Sequence, residues 1–214
     1  NNGFSFIAEG IIKIIINFDT FNNHRFSNIF QQIAEASPSF LLNLILEHKR
    51  EILEYRSKHS HLLVQILRVI AWYPEYYSEA TKLLLEVKDK GIHELFKPFE
   101  VATAACFEQK LELIKEIATN DKTTAFEILN KVLYFNPNIS LALTQNYVPK
   151  KYERFFQSHH SLEHTQLQEY YAILLECAEN CCEKLLQLLP KWIQPFPFSN
   201  LKLLAEYLDE VEPL

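Results

Sequence analysis

The chain has 214 residues, 48% hydrophobic and 22% charged, which is ordinary globular usage and argues against a disordered chain. Its formal net charge of −6 argues against a general phosphate-binding surface, and three glycines, Gly3, Gly10 and Gly91, supply no Gly-rich nucleotide loop. Four cysteines, Cys106, Cys177, Cys181 and Cys182, lack the spacing of a secreted disulfide framework and read as reduced thiols of a cytosolic protein.

The first residues carry neither the basic stretch nor the small-residue cleavage site of a signal peptide. The apolar run Ile11-Ile12-Lys13-Ile14-Ile15-Ile16 falls well short of the roughly 20 residues that cross a membrane, and Asn17 and Asp19 end it. A buried helix is the first reading of that run and a strand the second. There is no methionine, even at the start. That reads as a piece of a larger protein, or alternatively as the loss of modified methionines.

Helical periodicity follows. Leu41, Leu42, Ile45 and Leu46 recur at i, i+3, i+4 spacing, as do Leu62, Leu63, Ile66, Leu67 and Ile70. Leu111, Ile114, Ile117 and Ala118 make a further stripe, and Ile128, Leu129, Val132 and Leu133 another. Ile173, Leu174, Cys177, Ala178, Cys181 and Cys182 make the last. No sustained two-residue alternation with hairpin turns occurs, so the fold class is all-α. Ser37-Pro38 and Tyr73-Pro74-Glu75 each suit an N-cap followed by proline at the first helical position. Asn120-Asp121 and Asn136-Pro137 are further breaks.

These breaks share a unit. Ile33-Ala34 leads to Pro38 and Phe40, Ile70-Ala71 to Pro74 and Tyr76, and Ile117-Ala118 to Asp121 and Phe126. The Ile-Ala pairs recur after 70 − 33 = 37 and 117 − 70 = 47 residues, the period of stacked helix pairs. The expectation is a right-handed α-solenoid of antiparallel helix pairs (HEAT/TPR/armadillo-like) filling residues 1–214 as a single array. An irregular or short-helical connection is expected at about 138–161, then a long helix from near Leu162. Turns at Leu189-Pro190 and Pro195-Phe196-Pro197 precede a last helix near Asn200–Glu210.

Ala34-Glu35-Ala36-Ser37-Pro38-Ser39-Phe40-Leu41 and Ala71-Trp72-Tyr73-Pro74-Glu75-Tyr76 carry a resemblance. So do Glu94-Leu95-Phe96 with Thr103, and the series Thr144, Pro149, Tyr152, Arg154, in which tyrosine replaces the usual tryptophan. From about Ile33 onward the chain resembles the helical-repeat C-terminal region of large bacterial STAND-type NTPases and related antiphage defence proteins. The resemblance implies a sensor or scaffold array attached to a nucleotide-binding module and an effector elsewhere in the parent protein. It carries over no catalytic residue, since the matched positions are packing residues.

Candidate chemistry is sparse. His159, His160 and His164, with Glu163, lack the His-Glu-X-X-His order of a zinc helix, and His59 and His61 flank a helix start at Ser60. Cys177, Cys181 and Cys182, at i, i+4, i+5, form no CxxC knuckle and have no second pair, and they suit burial as small apolar groups. No activating neighbour marks Cys106 as the nucleophile of a Cys-His pair. Glu108, Glu112 and Glu116, beside Lys115, read as an exposed helix face. Lys150-Lys151-Tyr152-Glu153-Arg154-Phe155-Phe156 interleaves bases and aromatics as single-strand binders do, but it is short and broken by a glutamate, so linker is the better reading.

The sequence therefore predicts no catalytic, metal or cofactor-binding residue. It predicts a non-catalytic protein-recognition or scaffold segment in the bacterial cytoplasm, off the membrane. The partner would be another protein or other domains of the parent chain. Nucleic-acid binding along a repeat groove is the alternative.

Overall fold

The structure, a computed structural model, describes residues 2–17, 24–54, 60–97, 102–133, 148–153 and 164–178. Those residues form α-helices and 3₁₀ turns and include no strand, so the chain is all-α over the described residues. The helices are α1 (Asn2–Asn17), α2 (His24–Ala36), α3 (Pro38–Glu47), α4 (Lys49–Glu54), α5 (Ser60–Ile70), α6 (Tyr77–Glu86), α7 (Phe107–Asn120), α8 (Lys122–Leu133) and α9 (His164–Ala178). Short 3₁₀ turns occupy Ile92–Phe96 and Lys150–Tyr152. None of the described helices is long and apolar enough to cross a membrane.

The chain divides into two compact units. The first comprises Asn1–Leu95, Ala102–Ala105 and Tyr147–Ser158; the second comprises Phe96–Val101, Cys106–Asn146 and His159–Leu214.

In the first unit α1 packs on α3 and α4, α2 on α3 and α5, and α5 on α3 and α6. The Ile11–Ile16 run is helical, with Ile12 and Ile15 buried on one face. The α5 stripe is buried as its spacing requires: Leu62, Leu63, Ile66, Leu67 and Ile70 all face the core. On α3 the buried set is Leu41, Leu42, Leu44 and Ile45, while Leu46 is 39% exposed. Leu41, Leu44 and Ile45 stand at i, i+3, i+4, and Leu46 lies one position, about 100°, past that face.

The described residues of the second unit include α7, α8 and α9, which all pack on one another. Ile128, Leu129, Val132 and Leu133 are buried on α8, and Ile173, Leu174, Cys177 and Ala178 on α9. The α7 face is rotated from its expected position. Lys110, Leu113, Ile114 and Ile117 are buried at i, i+3, i+4, i+7, and Leu111 and Ala118 are only half-buried.

The three junctions of the apparent repeat differ. Ser37 alone separates α2 from α3, with Pro38 at the first helical position, although the Ser37 side chain makes no capping bond. Asp121 alone separates α7 from α8 and is a working cap: its Oδ1 accepts the Thr124 N–H at 3.1 Å and its Oδ2 the Thr124 hydroxyl at 2.6 Å. These hydrogen bonds, the Thr124 hydroxyl's foremost, hold the Asp121 carboxyl below its ordinary range.

The middle junction departs from expectation, because the helix opens at Tyr77 and not at Pro74. The Trp72 and Tyr73 N–H groups extend the end of α5 by bonding Val69 O at 3.2 Å and Ile70 O at 3.0 Å. Tyr76 then donates to Tyr73 O at 2.9 Å, closing a turn with Pro74 in its second place. The corner residues vary as well. Ala34 and Ala71 are fully buried and Ala118 is not, and Phe126 is buried where Phe40 and Tyr76 are half-buried.

Candidate functional site

Among the described residues of the first unit, a polar cluster surrounds the turn after α5. Trp72 is 2% exposed and its carbonyl accepts the Ala104 N–H at 3.1 Å. The Thr103 hydroxyl donates to Ala71 O at 2.5 Å and accepts the Ala105 N–H at 3.1 Å, so one side chain joins two stretches of main chain. From α2, Glu35 is engaged twice. Its carbonyl accepts the Tyr73 hydroxyl at 2.8 Å and its Oε1 accepts the Lys150 backbone N–H at 2.8 Å.

Residues 148–153 complete the cluster. Pro149 is buried and caps the 3₁₀ turn, whose Tyr152 N–H returns to Pro149 O at 2.8 Å. The Tyr152 ring stacks on Trp72 with centroids 6.0 Å apart and planes at 23°, and meets Tyr73 edge-on at 5.4 Å and 78°. Lys151 is exposed, and its Nζ stands 5.5 Å from the Tyr73 ring centroid and 5.2 Å from that of Tyr152. Burial foremost, then the neighbouring Glu35, Tyr152 and Glu75, pushes the Tyr73 hydroxyl up to about 12, so it is a protonated donor at neutral pH.

A second tie in this unit joins α5 to the segment after α6. Arg68 holds Asp89 through Nε at 2.9 Å and Nη2 at 2.8 Å, and the other Asp89 oxygen accepts the Gly91 N–H at 3.1 Å. A Cβ on Gly91 would overlap Arg68 Nη2, so a larger residue there would have to displace the guanidinium. The Tyr77 hydroxyl donates to Leu95 O at 3.3 Å farther along.

In the second unit the Tyr170 hydroxyl and the Lys110 amine are sunk in the core. The Tyr170 hydroxyl donates to Phe96 O at 2.8 Å, and burial pushes its pKa well up. Lys110 is 6% exposed and its Nζ donates to Lys97 O at 3.0 Å. Burial lowers the Lys110 pKa to about 8, opposed by the nearby Cys106.

Cys106 is exposed and serves as the N-cap of α7. Its side chain accepts the Gln109 backbone N–H, and Gln109 Oε1 accepts the Cys106 N–H at 3.1 Å. Glu108, Glu112, Glu116 and Lys115 all lie on an exposed face, with Lys115 Nζ 3.6 Å from Glu169 of α9. The Glu108 carboxyl is held below its ordinary range by its own backbone N–H and then by Cys106. Cys177 is buried on α9. His61 is exposed, with Nε2 3.3 Å from Gln65 Nε2, while Gln65 Oε1 accepts the Ser27 hydroxyl.

His59, His159, His160, Glu163, Cys181 and Cys182 lie outside the described residues, as do Thr144, Arg154, Phe155, Phe156, the Asn136-Pro137 break and everything beyond Ala178. His164 opens α9, but its side chain is likewise outside them. Among the described residues no group of three His, Cys, Asp or Glu side chains is placed to hold a metal ion.

The residues that carry the sequence resemblance therefore include several that meet at one place: Glu35, Trp72, Tyr73, Thr103 and Tyr152. Sequence reading missed Arg68, Asp89 and Lys110. Lys110 was findable, since it stands three and four residues before Leu113 and Ile114 on the buried stripe. Comparison with known proteins gives no match to any family model, any curated protein or any solved structure.

Proposed function

We propose that the chain is a non-catalytic protein-recognition or scaffold segment. The observation that carries this reading is the use made of its polar side chains. Thr103, Tyr73, Tyr77, Tyr170 and Lys110 donate to main-chain carbonyls, and Glu35 accepts a main-chain N–H. Such groups fix backbone segments in place, whereas an acid–base or nucleophilic site needs side chains aimed at a shared point open to substrate. Tyr73 and Tyr170, whose pKa values burial raises, stay protonated at neutral pH and donate to carbonyls.

The setting we propose is the one implied by the resemblance at Ala34–Leu41 and Ala71–Tyr76. It is a helical-repeat sensor array, right-handed and solenoidal, within a cytoplasmic bacterial defence or signalling protein. Its partner is another protein or another domain of the parent chain.

The reading is tested by isolating protein partners of the chain from its host and reconstituting each with purified components by calorimetry. In parallel the chain is titrated against labelled single- and double-stranded nucleic acid at low salt. A stoichiometric protein complex is expected. Nucleic-acid binding that weakens steeply with salt would overturn the reading in favour of the alternative.

A further inference from the structure

We propose that the face formed by Glu35, Trp72 and Tyr73 is a peptide-recognition site for a basic residue followed by an aromatic. The chain's own Lys151-Tyr152 occupies it. This deepens the protein-recognition reading above and rests on it.

Residues 148–153 are held as a bound peptide is held. One main-chain N–H, that of Lys150, goes to a carboxylate on the receiving face, Glu35, at 2.8 Å. One aromatic, Tyr152, lies against Trp72 and meets Tyr73 edge-on. One ammonium, that of Lys151, sits over Tyr73 and over the following tyrosine ring at 5.5 and 5.2 Å. These three fasteners specify charge, spacing and ring in a segment of six residues, and they match the chemistry by which aromatic surfaces select cations.

The receiving face is suited to a base for a second reason. Glu35 and Glu75 both act electrostatically on Tyr73, so the ring that meets the ammonium lies in a negative field. The sequence path matters as well. Residues 106–146 belong to the other unit, so the segment returns to the first unit after a long excursion.

A tethered ligand has an effective concentration on the order of millimolar, and a free peptide must outcompete it. The test titrates fluorescein-labelled Val-Pro-Lys-Lys-Tyr-Glu-amide into the 214-residue chain and reads anisotropy. The control peptide has alanine at both lysines and at the tyrosine. Three proteins are compared: the unaltered chain, Tyr152→Leu and Lys151→Ala. Lys151 is exposed, so Lys151→Ala keeps the fold even where the Tyr152 variant loses it.

Saturable binding is expected to the variants, about tenfold tighter to Tyr152→Leu than to the unaltered chain and several-fold tighter to Lys151→Ala. Adding Glu35→Gln should weaken it, and the control peptide should not bind. Equal affinity for both peptides, or no saturable binding to a folded variant, overturns the proposal. That failure leaves the protein-recognition reading standing, because only the reconstitution and nucleic-acid titrations bear on it.

Discussion

In the first unit, the turn at Ala71–Tyr76 is pinned by hydrogen bonds and rings from three places distant in sequence: Glu35, the Thr103–Ala105 stretch and residues 148–153. In the second unit, α7, α8 and α9 meet through apolar stripes, with the Tyr170 hydroxyl and the Lys110 ammonium sunk among them. The first arrangement specifies where irregular backbone goes, since each bond has a unique partner. The second specifies only that three faces be covered, and it tolerates variation in side-chain shape more readily. Local perturbation should therefore spread differently in the two.

The largest effect should come from Trp72→Ala. It removes a ring that is 2% exposed and stacks on Tyr152, at a cost of about 3–5 kcal/mol. Denaturant unfolding should show the loss. Residue-resolved hydrogen exchange should place it in α2, α5 and the 148–153 segment, with α7 and α8 still protected. Equal loss of protection in α7 and α8 would mean that the two kinds of construction do not respond separately.

Lys110 gives the next effect, and its sign is set by linkage. Its pKa is about 8 in the folded chain against 10.5 for the ordinary group. Below pH 8 both states hold the proton and the folded state bears the full cost of burying the ammonium. Between pH 8 and 10.5 the folded state releases the proton first, so the unfolded state binds more protons and stability rises with pH. The rise is about 3 kcal/mol over that window. Tyr73 and Tyr171, raised to about 12, oppose it above pH 10. The comparison is therefore cleanest between pH 8 and 10, as the difference between the unaltered chain and Lys110→Met. The variant should be the more stable at pH 7 and should lack the rise.

A paired test isolates the hydrogen bonds. Tyr170→Phe leaves the buried Phe96 carbonyl without its 2.8 Å donor and should cost about 1–2 kcal/mol. Tyr73→Phe removes an equally short bond to Glu35 O, but at a part-buried carbonyl that water can reach, and should cost about 0.5–1 kcal/mol. Paired thermal melts measure the difference, and the reverse order would show that solvent does not reach the first cluster.

Much of the helical content was legible because spacing alone decides it. The five residues of the α5 stripe and the four of the α8 stripe are all buried, as their periodicity requires. The stripe on α3 shifted from Leu46 to Leu44, and that on α7 took in Lys110, because the neighbours decide which of two adjacent arcs is covered. A Lys with a long apolar stem satisfies such a place when its amine finds a carbonyl. The junctions were the least legible. Tyr73-Pro74-Glu75 has the letters of a helix start, but the Trp72 and Tyr73 amides are already bound to the end of α5. The bond between Glu35 and Lys150 spans 115 residues, and no local pattern announces a partner so remote.

The smallest effect tests a departure from local rules next to the Arg68–Asp89 tie. At the end of α6, Asp89 N–H bonds Leu84 O at 3.0 Å and Lys88 N–H bonds Leu85 O at 2.9 Å, the paired bonds of a Schellman ending. Such an ending requires a left-handed residue, usually glycine, yet Lys88 fills it at φ 54°. Gly91, three residues on, has no positive φ and is needed for a different reason, the closeness of the Arg68 guanidinium. Lys88→Gly should therefore stabilise the first unit by about 0.5–1 kcal/mol, seen as a higher denaturation midpoint at unchanged slope. Gly91→Ala should destabilise it by displacing Arg68 from Asp89, an ion pair whose Asp89 side chain is only 9% exposed. If Lys88→Gly were instead destabilising, the Lys88 side chain would be contributing more than its strained backbone costs.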